Sequence, residues 1–208
     1  VKVKGQVVKG KIPSNASLFA TYSYKPLFSI VQDLNKLSNN FIAEQILKTM
    51  GAELKGIPGT TAGGLEVVSE FLEDLGIAPQ SYRLVDGSGL SRLNRLSPAQ
   101  ITRVLEYMYR NFSLHAEYLS SLAVMGEDGS LKRRLVDTHA KGRIRAKSGT
   151  LNGVRCLSGY TQAPYGEPLA FSFLVNFNRE CSSQEVTRLE NKVYLILTST
   201  NRSGKKKE

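Results

Sequence analysis

Two short stretches hold the residues best able to do chemistry: "KLSNNF" at 36–41 and "RIRAKSGTLNGV" at 143–154. In the second, strand alternation puts Arg143, Arg145 and Lys147 on one face, with Ile144 and Ala146 on the other. The strand then meets Ser148, Gly149 and Thr150. An ammonium beside hydroxyls, with a glycine that lets another backbone come close, is suited to gripping a carboxylate or an amide. In the first stretch, Ser38, Asn39 and Asn40 compete with the helical backbone for hydrogen bonds, yet stand between two helical patterns. Ser38 or Asn39 capping the second helix is one reading. The other is a short break that presents a hydroxyl and an amide to a cleft.

Other candidates are weaker. "GTTAGG" at 59–64 is followed by Leu65 rather than Lys-Ser/Thr, so it reads as a structural loop before a helix and not as a phosphate loop. His115 and His139 lie apart, and no nucleophile-elbow sequence supports a triad with Asp137. The histidines are isolated from any carboxylate cluster, so no metal is expected, and nothing calls for a cofactor. Cys156 and Cys181 allow one disulfide without requiring it; Cys156 alternates with Val154, Ser158 and Tyr160, which also suits a buried free thiol in a strand.

The positioning elements follow from periodicity. Residues 1–24 alternate Val, Lys and Gly before "LFATYSY", and read as short strands. Helical spacing covers about 26–50, with Gly51 as its stop. A Gly-rich loop precedes the helix "LEVVSEFLEDLG", and "YRLVDGSG" reads as a strand entering a tight turn. "SPAQITRVLEYMYRNF" is a helix with Ser97 as N-cap and Pro98 at its first position. A further helix is predicted around 114–124, then a turn at "GEDGS". "RIRAK", "VRCLSGYT" and "PLAFSFLVNF" are strands, and a last helix opens on the capping box Ser182/Glu185. The order predicts an α+β domain, helices packed on an antiparallel sheet.

At 208 residues, 41% hydrophobic and 22% charged, the chain suits one well-packed core. No apolar run is long enough to span a membrane. The net charge of +10, from 28 basic and 18 acidic residues, raises anionic partners. The basic residues are scattered apart from "LKRRL", "KGRIRAK" and "NRSGKKKE", and no stacking, helix-turn-helix or zinc-finger pattern accompanies them, so nucleic acid is not an expected partner. There is no initiator Met or signal-like segment, and the abrupt opening "VKVKG" reads as a processed or excised piece.

Taken in order, "PLFSIVQDLNKLSNNFIAEQILKTMG", "VDGSGLSRLNRLSP", "YLSSLAVMGEDGSLKRRL" and "AKSGTLNGV" resemble the penicillin-binding protein 4 type of serine D-Ala-D-Ala carboxypeptidase, the peptidase S13 family, over about residues 5–198. The resemblance implies the penicillin-recognising fold, in which S-x-x-K, S-x-N and K-T/S-G meet at one cleft. Ser38 and Asn40 would be the second motif; Lys147, Ser148 and Gly149 the third. By that resemblance Ser38 hydrogen-bonds Lys147 and joins a proton relay, and Asn40 holds the substrate's peptide carbonyl. Ser148, with Lys147, would bind the terminal carboxylate of D-Ala-D-Ala or of penicillin. The backbone N–H of Thr150 would supply half an oxyanion hole, commonly worth ~3 kcal/mol. Asp86 to Leu90 would form a turn lining the cleft, with Ser88 and Leu90 nearest the ligand.

The departure is the first motif, which supplies the nucleophile and its base. A Ser three residues before a Lys occurs only at Ser203–Lys206, in the tail. The chain is therefore expected to be the C-terminal part of such an enzyme, incomplete on the N-terminal side of the fold. Residues 1–20 would return from an inserted domain, 21–200 would belong to the catalytic domain, and 201–208 would be a disordered basic tail. A class A β-lactamase would need Glu in an E-x-x-L-N context, and "SRLN" at 91–94 has the Leu-Asn but no such Glu. The implied partners are a peptidoglycan stem peptide or a β-lactam and an upstream S-x-x-K segment, in the periplasm or outside the cell. A non-catalytic module binding peptidoglycan or a partner chain is the alternative.

Overall fold

The structure is a computed structural model that describes residues 4–6, 8–163, 166–178 and 180–199. Its centre is an antiparallel meander. β2 (Ile144–Leu151), β3 (Val154–Gln162) and β4 (Pro168–Asn176) run in sequence order, and the two-residue strand β1 (Ala123–Val124) pairs with the outer side of β2. Their β-branched and aromatic content and period-2 burial fit a sheet covered on both faces. The register sets Ala146 opposite Gly159, Lys147 opposite Ser158 and Ser148 opposite Leu157. Because successive side chains alternate, Ile144, Ala146, Ser148, Leu157 and Phe171 share one face, and Arg145, Lys147 and Tyr160 share the other.

The first face is covered by α6 (Ser183–Ser199), whose fully buried Tyr194 packs with Ala146, Leu157 and Phe171. Its start is fixed by the expected capping box: the Ser182 N–H donates to Glu185 Oε2 at 2.7 Å, and the Glu185 N–H to Ser182 Oγ at 3.2 Å. The other face meets α4 (Pro98–Arg110) and α5 (His115–Ser121) through the cluster of Leu105, Leu122 and Tyr160. The Tyr160 hydroxyl donates to the Leu105 carbonyl at 2.6 Å. Ser97 and Gln100 complete a capping box around Pro98, as the sequence indicates.

Helices α1 (Leu27–Leu37), α2 (Asn40–Lys55) and α3 (Thr61–Asp74) complete the layer on that side. Gly51 does not stop α2. The helix runs on to Lys55 because Gly51 and Gly64 let α2 and α3 touch backbone to backbone; a Cβ on Gly64 would lie 2.1 Å from the Leu47 carbonyl oxygen. "TAGG" is correspondingly the first turn of α3 rather than a loop, with Thr60 as its N-cap. "YRLVDGSG" contributes only an isolated bridge, Arg83 to Arg95, because the Asp86 turn diverts the chain. The predicted helix at 114–124 ends at Ser121, where Ala123 and Val124 join the sheet instead. Among the described residues before 25 no strand forms: none finds a pairing edge, and Leu18, Phe19 and Tyr22 are almost fully exposed. Residues 200–208, including Ser203 and the predicted basic tail, lie outside the described residues.

Candidate active site

Helix α1 ends on Ser38, which adopts left-handed backbone angles (φ 56°, ψ 51°) with its N–H bonded to the Leu34 carbonyl. Asn39 is the cap of the next helix: its side chain accepts from the Ile42 N–H at 3.1 Å. The capping reading holds for Asn39. Asn39 restarts the helix, while Ser38 is turned out of it. Across 109 residues of chain, Lys147 Nζ donates to Ser38 Oγ at 2.7 Å and to the Ser148 carbonyl at 2.7 Å. Burial pushes the Lys147 ammonium below the usual lysine range. A lysine more easily neutralised than usual, hydrogen-bonded to a hydroxyl, can pass a proton through that hydroxyl. Asn40, the first residue of α2, is exposed, and its side-chain amide makes no hydrogen bond among the described residues.

The next residue of the strand faces the other way. Ser148 Oγ lies 2.7 Å from Ser130 Oγ, on a single 3-10 turn at Gly129–Leu131. Gly129 has φ +54°, and a Cβ there would lie 2.8 Å from the Lys36 carbonyl oxygen and 2.9 Å from Ala123 Cβ; only glycine lets this turn press against α1. The turn is held from two sides. Lys36 Nζ, from α1, reaches Asp128 Oδ2 and donates to the Leu122 carbonyl at 3.2 Å. From α6, Glu190 Oε2 accepts from Arg134 Nη2 at 2.7 Å, and Asn191 accepts from Arg134 Nε at 2.7 Å. Burial pushes the Asp128 carboxyl up, but the Lys36 hydrogen bond, the Val124 N–H and the charges of Lys36 and Arg145 outweigh it and hold the group low.

Among the described residues, no strand pairs with the outer side of β2 beyond Ala146, since β1 pairs with Arg145 and Ala146. The backbone of Lys147 to Leu151, including Gly149 and Thr150, therefore forms an unpaired edge beside Ser38 and Ser130. Where β2 turns into β3 a cavity of about 800 Å³ opens, lined by Arg92, Thr150, Asn152, Asn176, Cys181 and Ser183 among others. The cysteines are both free.

The Asp86 turn is organised from within. Asp86 accepts from the Gly89 N–H at 2.7 Å, the Ser91 N–H at 2.8 Å and Asn94 Nδ2 at 3.0 Å. Burial alone would raise this carboxyl, but those bonds outweigh it and hold it below the usual range. Ser88 Oγ accepts from the Leu90 N–H at 3.3 Å, and Leu90 is 55% exposed. Among the described residues no hydrogen bond joins Ser88 or Leu90 to Ser38, Lys147 or Ser148. The turn is instead tied to the strand through Arg92, whose Nη2 donates to the Asn152 carbonyl at 2.7 Å. Ser130 and Arg92 are the residues that sequence reasoning missed. Their motifs, "GEDGS" and "GLSR", are visible in the chain, but their contacts depend on a register that spacing does not give. Among the described residues, no group of three His, Cys, Asp or Glu side chains could hold a metal ion.

Comparison with known proteins matches residues 1–193 to the D-Ala-D-Ala carboxypeptidase 3 (S13) family. The D-alanyl-D-alanine carboxypeptidase of Actinomadura sp. strain R39 is 38% identical over 184 residues, which are 85% of this chain and 34% of that protein. The crystal structure of penicillin binding protein 4 from Haemophilus influenzae superposes with a TM-score of 0.75 at 28% identity, over 83% of this chain and 40% of that one. A class A β-lactamase from Bacteroides cellulosilyticus shares the fold at 18% identity, with a TM-score of 0.56 over 81% of this chain. The chain thus spans about a third of the Actinomadura carboxypeptidase and two fifths of the solved Haemophilus chain.

Proposed function

Since this chain belongs to the D-Ala-D-Ala carboxypeptidase 3 (S13) family, we propose that it is the C-terminal part of the catalytic domain of a serine-type D-Ala-D-Ala carboxypeptidase or endopeptidase, acting on peptidoglycan stem peptides and acylated by penicillin. The observation that carries this reading is the 2.7 Å hydrogen bond from Lys147 to Ser38, which joins two motifs 109 residues apart. In the proposed reaction an S-x-x-K serine, supplied by an upstream segment of the same protein, attacks the carbonyl of the D-Ala-D-Ala bond. Ser38 and Lys147 pass the serine's proton to the departing D-alanine nitrogen as the C–N bond breaks. Water then adds to the ester carbonyl, and the acyl C–O bond to the serine breaks. The shortened peptide leaves as its carboxylic acid, and the serine hydroxyl is regenerated with a proton from that water.

The remaining groups bind rather than react. Asn40 donates its free amide to the stem-peptide carbonyl. Ser148 and Ser130, 2.7 Å apart, close together on the substrate carboxylate with Lys147 nearby. The Thr150 N–H, on the unpaired edge, takes up charge on the oxyanion. The reaction needs no metal or cofactor. Cell-wall substrates place the protein in the periplasm or outside the cell, and no helix among the described residues is long and apolar enough to cross a membrane.

The test is intact mass after incubation with penicillin, with and without an S-x-x-K segment. A stoichiometric adduct that needs the segment, and forms more slowly in Ser38→Ala, is the expected result. An adduct on this chain alone that disappears in Ser38→Ala would make Ser38 the nucleophile and overturn the assignment. No adduct under either condition would favour a non-catalytic binding module.

A further inference from the structure

The site described above is assembled from pieces far apart in sequence, and an ion pair between α1 and the Gly129 turn joins its two sides. Lys36 stands two residues before Ser38, at the end of α1. Asp128 stands two residues before Ser130, at the start of the Gly129 turn. Lys36 Nζ reaches Asp128 Oδ2 and the Leu122 carbonyl, while the other oxygen of Asp128 accepts from the Val124 N–H at 2.7 Å. The ammonium thus connects α1 with the segment that enters β1, and through it with β2. The side chain of Lys36 is only 19% exposed, unlike that of Lys25, whose pairing with Asp33 on the same helix leaves it 48% exposed. Gly129 lets the two backbones close to a separation that no side chain would tolerate. A second polar link lies one residue earlier on α1: Asn35 Nδ2 donates to Ser121 Oγ at 2.8 Å.

We propose that Lys36 and Asp128 are positioning residues, an ion-pair clamp that sets the spacing between the proton-passing pair Ser38–Lys147 and the carboxylate-binding pair Ser130–Ser148. This rests on the reading of the site given above. Neither residue touches substrate; each acts through a hydroxyl two residues further on. A substrate held by its carboxylate on one pair presents its scissile bond to the other, so the distance between the pairs is a catalytic dimension. Small misplacements of reacting groups cost about two orders of magnitude in rate.

The experiment uses Lys36→Met, Asp128→Asn and the double variant, with Lys25→Met as a control on the same helix. Asp128→Asn keeps an acceptor for the Val124 N–H and so preserves the turn's own hydrogen bond. In the protein complemented with its S-x-x-K segment, each single clamp variant is expected to slow penicillin acylation roughly tenfold or more. The double variant should be no slower than the worse single, because contacting partners are not additive. Lys25→Met should leave the rate unchanged. A second readout needs no turnover. The titration of Lys147, followed by NMR of its labelled side chain in the chain as it stands, should shift up toward the ordinary lysine value in both clamp variants, as water enters beside Ser38.

Additive single effects would overturn the proposal. So would unchanged acylation and an unchanged Lys147 titration in both variants, whatever happens to the melting temperature. A wild-type protein that penicillin does not acylate would count against the reading of the site, and the Lys147 titration would then decide the clamp on its own.

Discussion

Lys147 and Ser148 are neighbours in the chain and opposites in the sheet. The pleat sends Lys147 to the helical face, where it is half-buried, lowered in pKa and bonded to Ser38. It sends Ser148 to the face of α6, where it meets the neutral hydroxyl of Ser130. On the function proposed above, one side moves a proton and the other holds an anion. The difference teaches why K-S-G is a dipeptide-scale motif: period-2 geometry lets two adjacent residues serve two faces of one site without any loop between them.

The largest expected effect would break the comparison at its reactive end. Lys147→Met in the complemented protein should cut acylation by about 10²–10⁴-fold, the usual worth of a positioned proton-transfer group, in a stopped-flow penicillin assay. An effect no greater than that of Ser148→Ala would mean that the two ends are not different in kind. Next is the support behind the binding end. Glu190→Ala leaves Arg134, 13% exposed, without its buried partner and should cost about 3 kcal/mol in denaturant unfolding. Equal destabilisation by Lys25→Ala, whose pair is exposed, would deny Glu190 that role.

Ser148→Ala sharpens the contrast. Loss of one hydrogen bond to a charged group, worth about 1.5–3 kcal/mol, should raise the KM for a D-Ala-D-Ala peptide roughly tenfold or more, with kcat nearly unchanged. The smallest effects are in pH. Lys147 has a folded pKa below its unfolded value, so the unfolded chain holds the extra proton between the two. Stability should rise with pH across the alkaline window below the ordinary value of 10.5, and Lys147→Met should flatten that rise. Asp128 gives a slope of the same sign in an acid window. Its depressed pKa contributes stability above the ordinary value of 3.8, lost as pH falls through the lower folded value and absent in Asp128→Asn. Denaturation midpoints across both ranges would separate the two ends.

Much of this was legible in the sequence where local chemistry decides the outcome. Ser97, Pro98 and Gln100 start α4 as their types dictate, and alternation from Ile144 to Asn176 delivers three strands in order. The pairing of Ser38 with Lys147 was reached through the resemblance to the S13 family, not through spacing. What escaped depends on partners distant in the chain. Gly51 looks like a helix stop until Gly64 lies against it. Ser130 reads as one more turn residue until the register of β1 on β2 brings it to Ser148. Residues before 25 have strand-like composition, but composition cannot provide an edge to pair with.

Ser38 itself has a thermodynamic consequence. A serine with φ 56° holds a conformation that costs an L-residue roughly 1–2 kcal/mol and glycine almost nothing. Ser38→Gly would therefore relax the backbone while deleting the hydroxyl that Lys147 grips. On the function proposed above, the sequence with the least backbone strain at this position and the working one are different, so selection for robustness alone would erode the site at the junction of α1 and α2.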